Sequence, residues 1–287
     1  MRPIQRALIS VTDKTDLVYF SRELDSMGVE ILSTGGTGKL LEGEGIPVKF
    51  ISDYTGFPEI LDGRVKTLHP KIHGGILGRR DLESHQLAML DHGIKPIDLV
   101  VINLYPFEAT IARDDCSLSD AIENIDIGGP CMVRAAAKNF NDVAVVVNPS
   151  DYAIALKEMK DHCRSVTLET RHRLSRDAYA HTARYDSLVA KYLSSTLKEK
   201  PGFSPWFQQP FQKVQELRYG ENPHQNAAVY RETQVKPSDI VSASQLQGRE
   251  LSFNNIIDLE AAWLLVTEFD QGAAVIIKHT NPCGVAV

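Results

Sequence analysis

Short apolar runs alternate with helical periodicity along the first half of the chain. Ala7–Val11 reads as a buried strand. Thr12 or Asp13 can cap the next helix, in which Leu17, Val18, Leu24 and Met27 recur at helical spacing before Gly28 stops it. Val29–Leu32 predicts a second strand, Leu40–Gly45 the end of a short helix, and Val48–Ile51 a third strand. Further on, His85–His92 predicts a helix and Leu99–Leu104 (LVVINL) a strongly apolar fourth strand. Leu118–Ile122 and the alanine-rich Cys131–Lys138 predict helices, and Val143–Val147 a fifth strand. This alternation argues for an α/β fold, a parallel sheet with helices on both faces. The loops at the strands' carboxyl ends then share one rim, where such sheets bind ligands.

Two glycine turns fall on that rim. Ile31–Lys39 (ILSTGGTGK) runs from strand through glycines into a helix start. Glycines let a backbone approach an anion closely, and the unpaired N–H groups of a helix start point at it. One helix terminus contributes only ~0.3–1 kcal/mol toward an anion, so several donors are needed. Ser33, Thr34 and Thr37 offer hydroxyls, and Ser10 and Lys14, after the first strand, can join them. The stretch matches neither G-x-G-x-x-G nor the Walker pattern, and a plain strand-to-helix turn fits it equally well. The second turn, Asp126-Ile127-Gly128-Gly129-Pro130, places a proline suited to a helix's first position. Capping by Asp126 explains it as simply as ligand binding does.

Asp53–Gly78 reads as a long polar loop with little periodicity. Loops of this length inside a domain are functional or disordered, and its apolar residues need burial. Arg64, Lys66, His69, Lys71 and His73 make it either one wall of an anion site or a solvated basic loop.

Beyond it, Tyr152–Asp161 is a helix and Thr167–Leu197 a long helical run suited to packing against or connecting domains. KEKPGFSP at 198–205 shifts to proline, glycine and charge and predicts a linker. The resulting division is 1–198 and 199–287, in keeping with a length of 287 residues. Ala273–Ile277 is a late apolar strand, and a sheet ending there would leave an unpaired edge.

Composition narrows the partners. A net charge of −6 gives no footprint for nucleic acid or an anionic membrane, so cations for a phosphate must be concentrated locally. No apolar run approaches a spanning helix, and the N-terminus has no signal-peptide core. The cysteines Cys116, Cys131, Cys163 and Cys283 show neither C-x-x-C nor zinc spacing, which fits a reducing cytosol and no metal site.

Specific strings then carry a resemblance. SVTDKTDL at 10–17, STGGT at 33–37, GRVKTLHPKIHGGIL at 63–77, NLYPF at 103–107 and DIGGPCMVRAAAKN at 126–139 resemble the bifunctional purine-synthesis family that combines AICAR transformylase with IMP cyclohydrolase. RYGENPHQ at 218–225, LSFNNIIDLEAAW at 251–263 and KHTNPCG at 278–284 resemble the opening of its transformylase domain. The resemblance implies a methylglyoxal-synthase-like cyclohydrolase domain, followed by an incomplete, cytidine-deaminase-like transformylase segment. It implies that the folate-binding part lies beyond Val287, so this chain alone is expected to show no transformylase activity. The expected reaction closes 5-formyl-AICAR (FAICAR) to IMP with loss of water, without metal or cofactor. The intact protein would also formylate AICAR from 10-formyltetrahydrofolate, as a cytosolic homodimer.

By motif position, the resemblance assigns catalysis to Lys66, Tyr105, Asp126 and Lys138. It assigns phosphate contacts to Ser10, Lys14, Ser33, Thr34, Gly36 and Thr37, and base and ribose contacts to Arg64, Thr67, Asn103, Ile127 and Gly128. In the second region it points to Lys278 and His279 as a formyl-transfer dyad, with Arg218, Tyr219 and Asn255 on substrate. Each has a plainer reading from its position alone: Lys14 as a solvated lysine, Lys138 as a helix C-terminal cation, Tyr105 as packing, and Lys278-His279 as structural. Pro282-Cys283 lacks the second cysteine and H-x-E of a zinc deaminase. Two rival functions share the architecture: a phosphate-sensing module without catalysis, and a phosphate-releasing lyase, for which Asp13 is the early candidate carboxylate.

Overall fold

Five apolar segments lie side by side in the computed structural model, which describes residues 2–105, 107–197, 206–232 and 239–287. They are β1 (Arg6–Ser10), β2 (Glu30–Ser33), β3 (Lys49–Phe50), β4 (Leu99–Ile102) and β5 (Ala144–Val146), in the order β3-β2-β1-β4-β5. Every pairing is parallel, with Leu8 opposite Leu32 on one side and Val100 on the other. Ala7–Ile9, Leu99–Ile102 and Ala144–Val146 are buried throughout. That unbroken burial is what a parallel sheet covered on both faces requires.

The helices of this unit are α1 (Leu17–Ser26), α2 (Gly35–Gly43), α3 (Ile51–Thr55), α4 (Pro70–Leu77), α5 (Glu83–Asp91), α6 (Phe107–Ile111), α7 (Leu118–Glu123), α8 (Gly128–Lys138), α9 (Tyr152–Asp161) and α10 (Leu168–Ser195). α1 packs on α9, where Phe20 stacks on Tyr152 with ring centroids 4.3 Å apart. α8 packs against α4, β4, β5 and α10. The unit spans Met1–Gly202, and Phe203–Val287 forms a second one. The linker expected at 198–205 lies outside the described residues.

Three expectations need correction. Neither Thr12 nor Asp13 caps α1, because the helix starts only at Leu17, after Asp16 in a left-handed conformation (φ 54°). The Asp13 carboxylate instead turns back on Thr15, accepting from its N–H at 2.9 Å and its hydroxyl at 2.6 Å. Asp53–Gly78 is not a long loop. It holds the end of α3, a single 3-10 turn at Leu61–Gly63, and α4, pieces too short to display a helical period. α3 ends at Gly56 (φ 73°), and α4 begins with Pro70 under His69, whose Nδ1 accepts from the Lys71 N–H at 3.1 Å. Finally, α2 starts inside the glycine stretch, at Gly35.

A buried arginine closes the far end of α4. Arg80, 6% exposed, donates to the carbonyls of Gly75 (3.1 Å), Gly78 (2.7 Å) and Ile97 (2.8 Å), with Asp98 3.6 Å away. The Asn139 amide adds a bond to the Ile76 carbonyl at 2.8 Å. These donors satisfy carbonyls that α4 leaves unpaired and fix the helix carrying the 63–77 segment.

The second unit pairs β6 (Phe211–Leu217) with β7 (Ala227–Glu232), and β8 (Ala274–Lys278) with β9 (Asn281–Ala286), both antiparallel. Between them lies α11 (Phe253–Val266), opened by a capping box of Ser252 and Asn255. β8 is the strand expected at 273–277, and its described partner is β9 alone. No apolar side chain among the described residues of this unit is fully buried.

Replacing Arg80 with leucine strands the buried Gly75 and Ile97 carbonyls and removes the cation beside Asp98, which keeps the Gln5 and Arg6 N–H groups. Arg80→Leu is expected to lower unfolding free energy by about 3 kcal/mol, read from urea denaturation; a loss under about 1 kcal/mol would show that α4 needs no such clamp.

Candidate active site

β1 is flanked by β2 and β4, so the chain leaves it in opposite directions and a crevice opens at the strands' carboxyl ends. A cavity of about 790 Å³ occupies this place. Its walls come from the segments after β1, β2 and β4, the 62–67 segment, and the turn between α7 and α8.

On one side stands a ring of hydroxyls and one lysine. The Ser10 and Thr34 hydroxyls lie 2.8 Å apart. The buried Thr37 hydroxyl donates to the Val11 carbonyl at 3.0 Å and accepts from the Val11 N–H at 3.1 Å and from Lys14 Nζ at 2.7 Å. Lys14 Nζ also donates to the Val11 carbonyl. Burial lowers the Lys14 pKa from its ordinary value. Together with the amino-terminal end of α2, these groups form a compact cradle of hydroxyl, ammonium and N–H groups, of the chemistry that suits an anion.

On the other side is the Asp126 turn. One Asp126 carboxylate oxygen accepts from the Gly129 N–H at 2.8 Å, while the Asp126 N–H donates to the Tyr185 hydroxyl at 2.7 Å. Burial raises the carboxyl's pKa, against the opposing pull of the Gly129 and Tyr105 N–H groups and of Lys66. Glycine is needed here for space. A Cβ on Gly129 would strike the Asp126 carboxylate, and one on Gly128 would come within 2.6 Å of the Thr67 hydroxyl.

The cavity brings together Ser10, Lys14, Thr34, Gly36, Thr37, Arg64, Lys66, Thr67, Asn103, Tyr105, Asp126, Ile127 and Gly128. Two expected residues stand apart. Ser33 is fully buried and donates to the Ile9 carbonyl at 2.7 Å, because as the last residue of β2 it faces its neighbouring strand. Lys138 is exposed at the far end of α8, about 15 Å along the helix from Gly128 at 1.5 Å per residue. There it meets the negative end of the helix dipole. Asn103 reaches the cavity, but its amide oxygen already accepts from the N–H groups of Thr12 (2.6 Å) and Asp13 (3.0 Å), pinning the loop after β1.

The five basic residues of the 64–73 stretch divide. Arg64 pairs with Glu123, and Lys66 with Glu59 at 3.2 Å, and both face the cavity. His69 caps α4, and Lys71 donates to the Thr55 carbonyl at 3.0 Å. His73 is partly buried, with a lowered pKa. Ile122, Glu123, Asn124 and Ile125, just ahead of the Asp126 turn, were not foreseen; the end of a short helix carries no sequence signal for a cavity wall. Asp13, the carboxylate a lyase would need, does not line the cavity.

In the second unit, Arg218 and Asn255 help line a separate cavity of about 500 Å³. The Arg218 guanidinium lies over the Tyr219 ring at 4.9 Å. Asn255 spends its amide oxygen on the Ser252 N–H (3.0 Å) and hydroxyl (2.9 Å). Lys278 ends β8 and does not line this cavity; neither does His279, which enters the tight turn to β9 at φ 52°.

The sheet order, the helices on both faces and the cradle at the switch point define an α/β ligand-binding domain of the methylglyoxal-synthase-like class, and residues 16–131 match the family model described as MGS-like domain. Residues 136–287 match that of the AICARFT/IMPCHase bienzyme, and the chain belongs to this purine-biosynthesis family. The crystal structure of ForH is similar, at 35% identity and a TM-score of 0.60, over 66% of this chain and 99% of that one.

Thr37→Val removes the shared partner of Lys14 and Val11. It is expected to weaken IMP binding by roughly 10-fold or more, read by calorimetry, from loss of hydrogen bonds worth ~1 kcal/mol each and displacement of Lys14. Affinity within about 2-fold of wild type would remove Thr37 from the cradle. A second prediction concerns Asp126. Its raised folded-state pKa makes the ionised form costly, so its contribution to stability is present at low pH and lost as pH rises through the folded value. Asp126→Asn is therefore expected to melt higher than wild type at neutral pH, the gap vanishing below the unfolded carboxyl pKa. An equal or lower melting temperature at neutral pH would contradict it.

Proposed function

We propose that the cavity of the first unit closes FAICAR to IMP with release of water. The observation carrying this reading is that one 790 Å³ cavity is lined by both the hydroxyl–lysine cradle and the buried Asp126 turn. A phosphate at the cradle leaves the base end of a nucleotide to the Asp126 side. A sensing module would need the cradle but no desolvated carboxylate facing it.

The reaction is intramolecular, so orientation and proton transfer are the work that remains. The carboxamide nitrogen bonds to the formyl carbon and the C–O bond breaks. The two nitrogens together shed two protons, which leave with the formyl oxygen as water. Asp126, its carboxyl pKa raised by burial, serves as base for the carboxamide proton. Lys66 and Tyr105 donate to the formyl oxygen as charge develops on it. Arg64 and Thr67 hold the base and ribose. Lys138 has no role in this single-chain scheme. The longer family protein would pair this step with AICAR formylation from 10-formyltetrahydrofolate in a homodimer, with Lys278, His279, Arg218, Tyr219 and Asn255 serving that second reaction.

Incubation of the chain with FAICAR, followed by the rise of purine absorbance, tests the reading. Turnover is expected, falling ~10²–10⁴-fold in Asp126→Asn. Because the ionised carboxylate is the active form, kcat/KM is expected to fall as pH drops through the carboxyl's pKa, which burial moves upward. Absence of IMP from the wild-type chain would refute the proposal.

A further inference from the structure

The longest helix of the first unit contributes no residue to the cavity wall, yet it grips both turns that supply the reactive groups. On α10, Tyr185 is 7% exposed and its hydroxyl accepts the Asp126 N–H at 2.7 Å. Its ring meets Phe107 edge-on, with centroids 6.2 Å apart, and Tyr192 meets the same ring at 5.6 Å. Phe107 is 1% exposed and lies two residues after Tyr105. Arg184, also on α10, pairs with Glu108 at 2.7 Å. The corner after β4 and the turn before α8 are thus tied to one rigid element, and Tyr185 touches both.

We propose that Tyr185 is a positioning residue, whose hydroxyl holds the Asp126 main chain so that the carboxylate stands where the reacting nucleotide meets it. The inference rests on the cyclisation reading and adds to it a group outside the cavity. The alternative is that Tyr185 merely packs the core.

The two differ in what loss of the hydroxyl does. Without it the Asp126 N–H has no partner in a part-buried place, and such a group carries a penalty until it finds water. The turn then relaxes toward solvent and the carboxyl loses its dry surroundings. The charged groups around it stay the same: Lys66 faces Asp126, and Asp186 stands beside Tyr185. Any change in Asp126 titration therefore comes from its hydration. A packing role would cost stability and leave the titration alone.

The test uses the full chain turning over FAICAR. Tyr185→Phe keeps the ring and removes the oxygen. It is expected to lower kcat by roughly 10-fold, with KM within about 3-fold, and to move the acid limb of the rate profile to lower pH. Tyr192→Phe, on the same helix and against the same Phe107 ring, is expected to leave both unchanged. Should Tyr185→Phe fold poorly, 3-fluorotyrosine at position 185 keeps the fold and weakens the acceptor, and is expected to lower kcat to a smaller degree. An unmoved acid limb and kcat within about 2-fold in a folded Tyr185 variant would overturn the inference while wild-type turnover stands. If the wild-type chain makes no IMP, it is the cyclisation reading that has failed, and the inference falls with it.

Discussion

Parallel pairing of β1 on both of its edges is the constraint from which the rest follows. Hydrogen bonding to β2 and β4 in register brings three strand ends to one level, so three loops start from one rim. The chain then leaves β1 toward opposite sides of the sheet, and the loops cannot close over the gap. Everything polar in the cavity hangs on this arrangement. Thr37 can reach Val11 because β2 lies beside β1, and Asn103 can pin Thr12 and Asp13 because β4 does. A slip of β2 would dissolve the first contact, and a slip of β4 the second.

The cavity is electrostatically unfinished, and that is informative. Lys14 and Asp126 are both pushed by burial toward their neutral forms, one downward and one upward. Neither sits beside an opposite charge close enough to cancel the desolvation, whereas surface pairs such as Arg79–Asp81 are matched outright. A protein optimised only to stay folded would replace such groups. An anion at Lys14 would restore its ordinary pKa, so that ligand binding and recovered stability are linked. The overall charge of −6 sharpens the point, since Lys14, Arg64 and Lys66 gather positive charge at the cavity of a chain whose net field repels anions.

The sheet was legible because buried parallel strands announce themselves as apolar runs: each of the five was anticipated within one or two residues. The glycine stretch after β2 was legible as a strand-to-helix turn on the rim, while its sequence left phosphate binding and a plain turn equally open. What could not be read was how the 53–78 segment folds. Its helices are short, and the end of α4 is fixed by the folded-back Arg80 and by Asn139 from 63 residues away, which no periodicity reveals. Ser33 was indistinguishable from Thr34 in sequence, although the pleat turns one into the sheet and leaves the other at the cavity. Lys138 shows the same limit on a helix: residue type and motif say nothing about which end of α8 borders the cavity.

The two units differ in kind, which bears on where chemistry can reside. Every residue lining the large cavity falls between Ser10 and Met132, and the contacts that shape it reach no further than α10. In the second unit the described elements are two hairpins and one helix, with Trp263, Leu264 and Ile276 substantially exposed. Isolated two-stranded sheets have little stability of their own, and a site needs a rigid surround to hold groups within a fraction of an ångström. Asn255 illustrates the consequence, since its amide is engaged in starting α11. The first unit, with a continuous core from Ile4 to Tyr185, meets that requirement by itself.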